Sequence, residues 1–475
     1  MKAFLIILVC FVSLQAQEIS FIEHTITENG HGNPGFYAAD FDNDGNLDIV
    51  ASVTDPPALK WWRNEGNNPL EWTEFTITDE ECFYVYTADI NDDGFVDILS
   101  TLRTGEIVCW MNSCDEIPSW ERISIATGFI SSHGIFAEDI NNDGNMDVIA
   151  TSAALGKICW WDYNGTGWQE NEITDDFAGT QSVYAVDIDN DGDIDILGAA
   201  GEADEIALWY NDGENPVSWT KQVIDDNFDM AHWVCVSDID NDGFIDVLGA
   251  AAYDDEISWW KNCSGTPILW IKFVIDPNVN CALNTCTADL DGDDDLDVMG
   301  TAWASDDIYW WENNNEGPLS WTRHTIDDFN NGIWQIQSFD IDNDDDMDII
   351  TGADVLSSGG ISAALTWWEN VPVVENDEEF PDINDTIDLR NYPNPFNPAT
   401  TIYFTLDKQQ YVELAIYNLK GQIVNKLLSE ELAPGRQEEF WNGEDEEGNI
   451  ISSGIYLYKL QIENNSFTRR MLLLK

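Results

Sequence analysis

The chain has 475 residues, a length that permits two or three domains. Its 44% hydrophobic content and 22 Trp exclude an acid-rich disordered chain, because such a sequence can bury a large core. The net charge of −71, most of it before residue 372, excludes nucleic acid and anionic membrane surfaces as partners. What remains is a choice between a solvated acidic surface and cation binding.

Lys2, the apolar run Ala3 to Leu14 and then Gln15-Ala16-Gln17 predict a secretory signal over residues 1–16. The run is too short to cross a bilayer as a helix, and no later stretch is longer, so no transmembrane segment is expected. Cys10 leaves with the signal. Export permits disulfides among Cys82, Cys109, Cys114, Cys159, Cys235, Cys263, Cys281 and Cys286, but the sequence leaves pairing and free thiols equally open.

One nonapeptide, Asp-x-Asp/Asn-x-Asp-Gly/Asp-x-x-Asp, begins at Asp40, Asp89, Asp139, Asp187, Asp238, Asp289 and Asp340, at intervals of 49, 50, 48, 51, 51 and 51 residues. A short alternating strand precedes each copy and an apolar, β-branched run follows it. About ten residues further on lies an aromatic strand: Trp61-Trp62, Trp110-Met111, Trp160-Trp161, Trp209-Tyr210, Trp259-Trp260, Trp310-Trp311 and Trp367-Trp368, each soon followed by Asn. Most copies add a fourth strand, as at Ser320-Trp321-Thr322-Arg323-His324-Thr325-Ile326. Four short strands per unit without helical periodicity predict the blades of an all-β, seven-bladed β-propeller over residues 18–371. Adjacent Trp residues on a strand point to opposite faces, so each pair is expected to pack against both neighbouring blades. The seventh copy lacks a fourth strand. Ser20-Phe21-Ile22-Glu23-His24-Thr25-Ile26 matches Ser320 to Ile326 and is expected to complete that blade.

The Asp loops predict calcium, up to seven ions, because a hard cation takes roughly six to eight oxygens and a tight loop presents side chains from positions 1, 3, 5 and 9 and a carbonyl from position 7. In chain order these positions are Asp40, Asp42, Asp44, Asn46 and Asp48; Asp89, Asn91, Asp93, Phe95 and Asp97; Asp139, Asn141, Asp143, Asn145 and Asp147; Asp187, Asp189, Asp191, Asp193 and Asp195. The last three loops supply Asp238, Asp240, Asp242, Phe244 and Asp246; Asp289, Asp291, Asp293, Asp295 and Asp297; Asp340, Asp342, Asp344, Asp346 and Asp348. Position 6 is Gly in five loops, where the turn favours positive φ, but Asp294 and Asp345 in the last two, which are expected to be strained or weaker. An EF-hand is excluded, since no Glu stands at position 12 and strands flank the loop.

Residues 40–348 resemble the FG-GAP, or VCBS, repeats of the integrin α-subunit propeller. The resemblance implies calcium in the hairpin between the first two strands of each blade, with ligands at the opposite face.

Residues 372–388 are rich in Pro and acid and predict a linker. Alternating strands over Thr401 to Leu406, Val412 to Tyr417 and Gly454 to Leu460 then predict a small Ig-like β-sandwich, 389–475. Tyr392-Pro393-Asn394-Pro395, Ile416 to Gly421 and Ser452 to Tyr456 resemble the type A C-terminal sorting domain of the type IX secretion system. That resemblance implies the type IX machinery as a partner and release from, or attachment to, the outer surface of a Gram-negative bacterium.

No Ser/His/Asp arrangement or zinc motif is evident, and the propeller's four arginines, Arg63, Arg103, Arg122 and Arg323, are too few and scattered for a sialidase-like cluster. His133, His232 and Trp334 precede their Asp loops by six residues, at the entry of the first strand, and Arg103, Tyr253 and Trp303 lie between second and third strands. These six are expected to form a rim at the calcium-distal face, suited to a glycan or protein ligand. The expected function is therefore non-enzymatic binding or adhesion; the alternative is a secreted polysaccharide lyase or glycoside hydrolase on the same scaffold.

Overall fold

The computed structural model describes residues 19–473 except 28–34, 55, 68, 116, 164–166, 315–318, 328–331, 354–364, 373–388, 393–398, 407, 419–422, 445–450, 452–453 and 463–464. The expected signal, and nearly all of the expected linker, lie outside the described residues. The chain divides into two compact units, Met1–Val374 and Glu375–Lys475. Among the described residues both are β throughout.

The first unit holds seven four-stranded antiparallel sheets among its described residues. Six are built from consecutive strands. The fourth, for example, comprises Thr180–Val186, Asp195–Ala200, Glu205–Asn211 and Trp219–Asp225. Its second strand is buried along its whole length, whereas its last strand has no buried residue. The sequence follows that gradient, from small and branched apolar residues inside to Thr, Lys and Gln outside. The exception to consecutive order is Ile333–Phe339, Asp348–Ala353 and Leu365–Pro372, whose fourth strand is Ile19–Thr27. His24 pairs with Trp367 in that register, as His324 pairs with Trp310 one sheet earlier. The N-terminal strand thus completes the last sheet, as its likeness to Ser320–Ile326 anticipates, and covers an otherwise open edge.

The core lies between sheets, and the Trp pairs divide across it. Trp62 packs with Ile341, Ile350 and Trp367 of the last sheet, while the adjacent Trp61 packs with Ile98, Val108 and Trp110 of the second. Where small second-strand residues face these rings the fit is close: a Cβ at Gly249 would stand 2.9 Å from the Trp260 ring. The eight described cysteines are free thiols, with Cys82, Cys109 and Cys159 buried.

A polar clasp accompanies this apolar contact. Two residues after Trp62, Trp110, Trp209, Trp260, Trp311 and Trp368 of the third strands stands an Asn whose Nδ2 donates to a carbonyl of the preceding repeat. Asn112 reaches Phe41 (2.8 Å), Asn211 Ile140 (2.9 Å), Asn262 Ile188 (3.3 Å) and Asn370 Leu290 (2.8 Å). Asn64 of the first repeat reaches Ile341 of the last repeat (3.1 Å). Gln335 and Phe36 add a reciprocal pair of bonds between the same two sheets, so first and last sheets are neighbours. In the third repeat Tyr163 occupies the Asn position, packed on Trp168.

The second unit comprises a three-stranded sheet, Arg390–Tyr392, Thr400–Leu406 and Gly435–Trp441, and a four-stranded sheet of Gln410–Asn418, Ile423–Leu432, Gly454–Ile462 and Asn465–Leu473. Both contribute to one core around Trp441, with Ile402, Phe404, Leu414, Ile416 and Leu460.

Replacing Asn262 with Ala removes its bonds to Ile188 and Ile245 and leaves buried carbonyls unpaired. Chemical denaturation should show a loss of about 1–3 kcal/mol; an unchanged midpoint would contradict the clasp.

Candidate metal centres and the opposite rim

Each Asp loop joins the first and second strands of a sheet, and its hydrogen bonds recur from copy to copy. The position-1 Asp accepts the backbone N–H groups of positions 5 and 6, as Asp238 does from Asp242 (2.9 Å) and Gly243 (2.8 Å). The position-5 Asp accepts the N–H of position 7 (Phe244 to Asp242, 3.0 Å). The position-9 Asp is buried at the start of the second strand: Asp48, Asp97, Asp147, Asp246 and Asp348 are 0% exposed. In every loop but the third, one of its oxygens accepts from position 2 and the other from the clasp Asn, as Asp246 does from Ile239 (3.2 Å) and Asn262 (2.7 Å).

Position 6 has positive φ in all seven loops, at +85° to +97° for the glycines and at +73° and +75° for Asp294 and Asp345. Position 4 does too, with φ between +54° and +73° at Asn43, Asp92, Asn142, Asn190, Asn241, Gly292 and Asn343. Two left-handed residues coil the chain so that alternate side chains turn inward. Position 4 was legible in its Asn, Asp and Gly content.

The residues fit a hard cation. Asp40/Asp42/Asp48, Asp187/Asp189/Asp195, Asp238/Asp240/Asp246, Asp289/Asp291/Asp297 and Asp340/Asp342/Asp344 each place three carboxylate oxygens within 4.8 Å of one another. The second and third loops carry Asn91 and Asn141 at position 3 and so offer an amide oxygen there. In four of the other five loops the position-3 Asp (Asp189, Asp240, Asp291, Asp342) keeps a buried oxygen without a hydrogen-bond donor, and in the first loop the corresponding oxygen of Asp42 is taken by Arg63 (2.6 Å). A desolvated carboxylate oxygen with no donor beside other carboxylates is costly unless a cation takes it.

At the other end of the sheets the expected rim residues form two groups. In one, Arg103 lies over the Phe83 ring (4.9 Å) and His133 packs on Phe83 (5.0 Å) while its ring meets the Gln181 amide. In the other, Trp334 lies 5.8 Å from His232 and 6.5 Å from Trp303. Tyr253 is 71% exposed. One expectation needs correction: His232 is buried, its Nδ1 held 2.7 Å from the Leu283 carbonyl, so it supports the rim from beneath. Phe83, which joins Arg103 to His133, precedes its Asp loop by the same six residues and was missed. The second-to-third-strand turns are pinned to the entries of the first strands by Arg103–Glu81 (3.0 Å), Ala252–Met230 (3.0 Å) and Trp303–Cys281 (3.1 Å) backbone bonds. Each of the four arginines of this unit is ion-paired to its own carboxylates: Arg63 to Asp42, Arg103 to Glu81, Arg122 to Glu80 and Arg323 to Asp276. Likewise His24 and His324 stack on Trp367 and Trp310.

The FG-GAP-like repeat family matches residues 40–100, 139–198, 238–300 and 289–351, and the secretion system C-terminal sorting domain matches 390–474. The chain is an FG-GAP-repeat protein with a type IX sorting domain. None of the curated proteins compared with it matches. Among solved structures, BBS1N in complex with ARL6DN shares the fold, at 10% identity and a TM-score of 0.51, covering 77% of this chain and 100% of that one. PorZ, a bacterial surface component of the type IX system of Porphyromonas gingivalis, aligns at 14% identity and 0.44 over 91% of this chain and 58% of that one. AofleA from Arthrobotrys oligospora aligns at 13% identity and 0.39, over 66% and 91%. The sorting domain marks the FG-GAP-repeat protein as secreted by the type IX route, to the cell surface or beyond it. Among the described residues no helix is long and apolar enough to cross a membrane.

Burial pushes the position-9 carboxyls of this protein far up: Asp97 to about 6, Asp48, Asp195, Asp246 and Asp348 to about 7, and Asp147 and Asp297 to about 8. Asp147, opposite Tyr163 rather than Asn, has one oxygen with no donor. With raised folded-state values the metal-free fold holds protons that the unfolded chain has released, so its stability is lost as pH rises through those values. In excess chelator the melting temperature should fall between pH 5 and pH 8, and a saturating divalent cation should flatten the slope. A melting temperature that rises with pH in chelator would contradict the assignment.

Proposed function

We propose that the seven sheets close into a seven-bladed propeller whose Asp loops bind calcium for stability, and that the protein is a non-enzymatic binding or adhesion protein at the cell surface. The sandwich after it is read as an Ig-like sorting module, and residues 1–16 as the export signal. Ring closure is supported by the Asn64–Ile341 clasp and the Gln335–Phe36 pair. Calcium is supported by the repeated triads and by their donorless buried oxygens.

The observation that carries the binding reading is the rim. Tyr253 stands out from a turn pinned by backbone bonds, Trp303 and Trp334 form an aromatic pair on the same rim, and Arg103 is half-exposed. Aromatic faces with few polar groups on a rigid support suit stacking on a sugar or clamping of a peptide. Rim residues differ from blade to blade, which favours one composite site over seven equal ones.

A glycan array, run with assays for new reducing ends and unsaturated products, tests this reading. Binding without turnover is expected, and Tyr253→Ala with Trp303→Ala should weaken it at least tenfold while leaving the melting temperature in calcium within a few degrees. Turnover that the rim variants abolish would replace the binding reading with a lyase or hydrolase.

A further inference from the structure

The residue immediately before the clasp position of each third strand varies more than anything around it. In chain order it is Arg63, Met111, Asp162, Tyr210, Lys261, Glu312 and Glu369. Two of these show where the position points. Arg63 pairs with Asp42 (2.6 Å) and Asp44 (3.2 Å), the position-3 and position-5 carboxylates of its loop. Lys261 pairs with Asp240 and with Asp242 (2.6 Å), the same two positions. A side chain here therefore reaches the mouth of its own Asp loop.

In the sixth and seventh sheets the position holds glutamates, and both are oriented in the same way. His324 meets Glu312 at 2.9 Å and stacks on Trp310 at 4.3 Å; His24 meets Glu369 at 2.6 Å and stacks on Trp367 at 4.3 Å. Each histidine engages one carboxylate oxygen and fixes the glutamate beside the loop. Asp291, the position-3 ligand of the sixth loop, is only 4% exposed, and its Oδ1 has no donor. Burial first, then the charges of Asp293 and Glu312, raise this carboxyl to about 7. In the seventh loop, Asp342 and Asp346 each keep a buried oxygen without a donor. Asp162 stands on the strand Lys157–Tyr163 beside the third loop, where it and Asp147 each keep a buried donorless oxygen.

We propose that this one position grades the calcium affinity of the seven loops, with Glu312, Glu369 and Asp162 acting as further carboxylates at the sixth, seventh and third sites and Arg63 and Lys261 as tethered cations that compete at the first and fifth. Calcium affinity rises with the number of charged ligands, and a built-in ammonium or guanidinium must be displaced before calcium enters. His24 and His324 are positioning residues, holding the glutamates through one oxygen. The sixth and seventh loops, whose Asp294 and Asp345 look unfavourable in sequence, are then among the tightest sites. The inference rests on the calcium reading.

The test is calorimetric titration of the metal-free full chain with Ca2+. Wild type should show graded classes of sites. Glu312→Gln with Glu369→Gln should weaken two sites of the tightest class about tenfold or more, because each loses one charged ligand. Arg63→Met with Lys261→Met should strengthen two of the weakest by a similar factor. The two double variants act in opposite directions, so misfolding of one leaves the other decisive. Wild-type binding left unaltered by both would overturn the grading while sparing the calcium reading; no binding by wild type would overturn both.

Discussion

The aspartate that begins each second strand is buried among branched apolar residues, and in all but the third its two oxygens accept hydrogen bonds from two directions. One comes from position 2 of its own loop and the other from the backbone of the clasp Asn on the third strand. The same Asn donates its side chain to the preceding unit. A single carboxylate therefore ties the hairpin, the third strand and the neighbouring sheet together. Repeated around the unit, that constraint sets the spacing of nearly every other feature. Its cost is a charge held out of water, which the raised position-9 carboxyls register directly. A cation at positions 1, 3, 5 and 9 would offset that cost and make metal affinity and fold stability one quantity.

The acidity of the chain takes on two meanings in this light. Seven divalent cations would offset 14 of 71 net negative charges, and the remainder is solvated surface. The charges that matter for folding are those at loop positions where neighbours are fixed. The third repeat tests this from within: Tyr163 replaces the clasp Asn, Asp147 loses a donor, and its carboxyl is among the most raised.

Much of the architecture was legible because repetition separates constraint from accident. Asp spacing marked the hairpins, the Trp pairs marked the inter-sheet core, and the match of Ser20–Ile26 to Ser320–Ile326 marked the strand that completes the last sheet. Alternation was enough to find strands in the C-terminal unit. What stayed hidden depends on which side chains meet across strands. The Asn after each Trp pair was visible, yet its reach to the preceding unit required three-dimensional register. His232 looked like a rim residue by offset, but its ring turns inward to a carbonyl. His24 and His324 were recognised as equivalent, while their shared role in holding Glu369 and Glu312 was not. Asp294 and Asp345 looked like faults, because a positive φ is easily read from sequence and a compensating carboxylate on another strand is not.

The central claim, that the Asp loops are built cation sites, is tested most directly by anomalous X-ray scattering from crystals of the protein grown with calcium. The account predicts anomalous peaks inside the Asp loops, within about 2.3–2.6 Å of the position-1, -3, -5 and -9 oxygens. A map with no peak in any loop, at calcium concentrations that saturate stability, would contradict it.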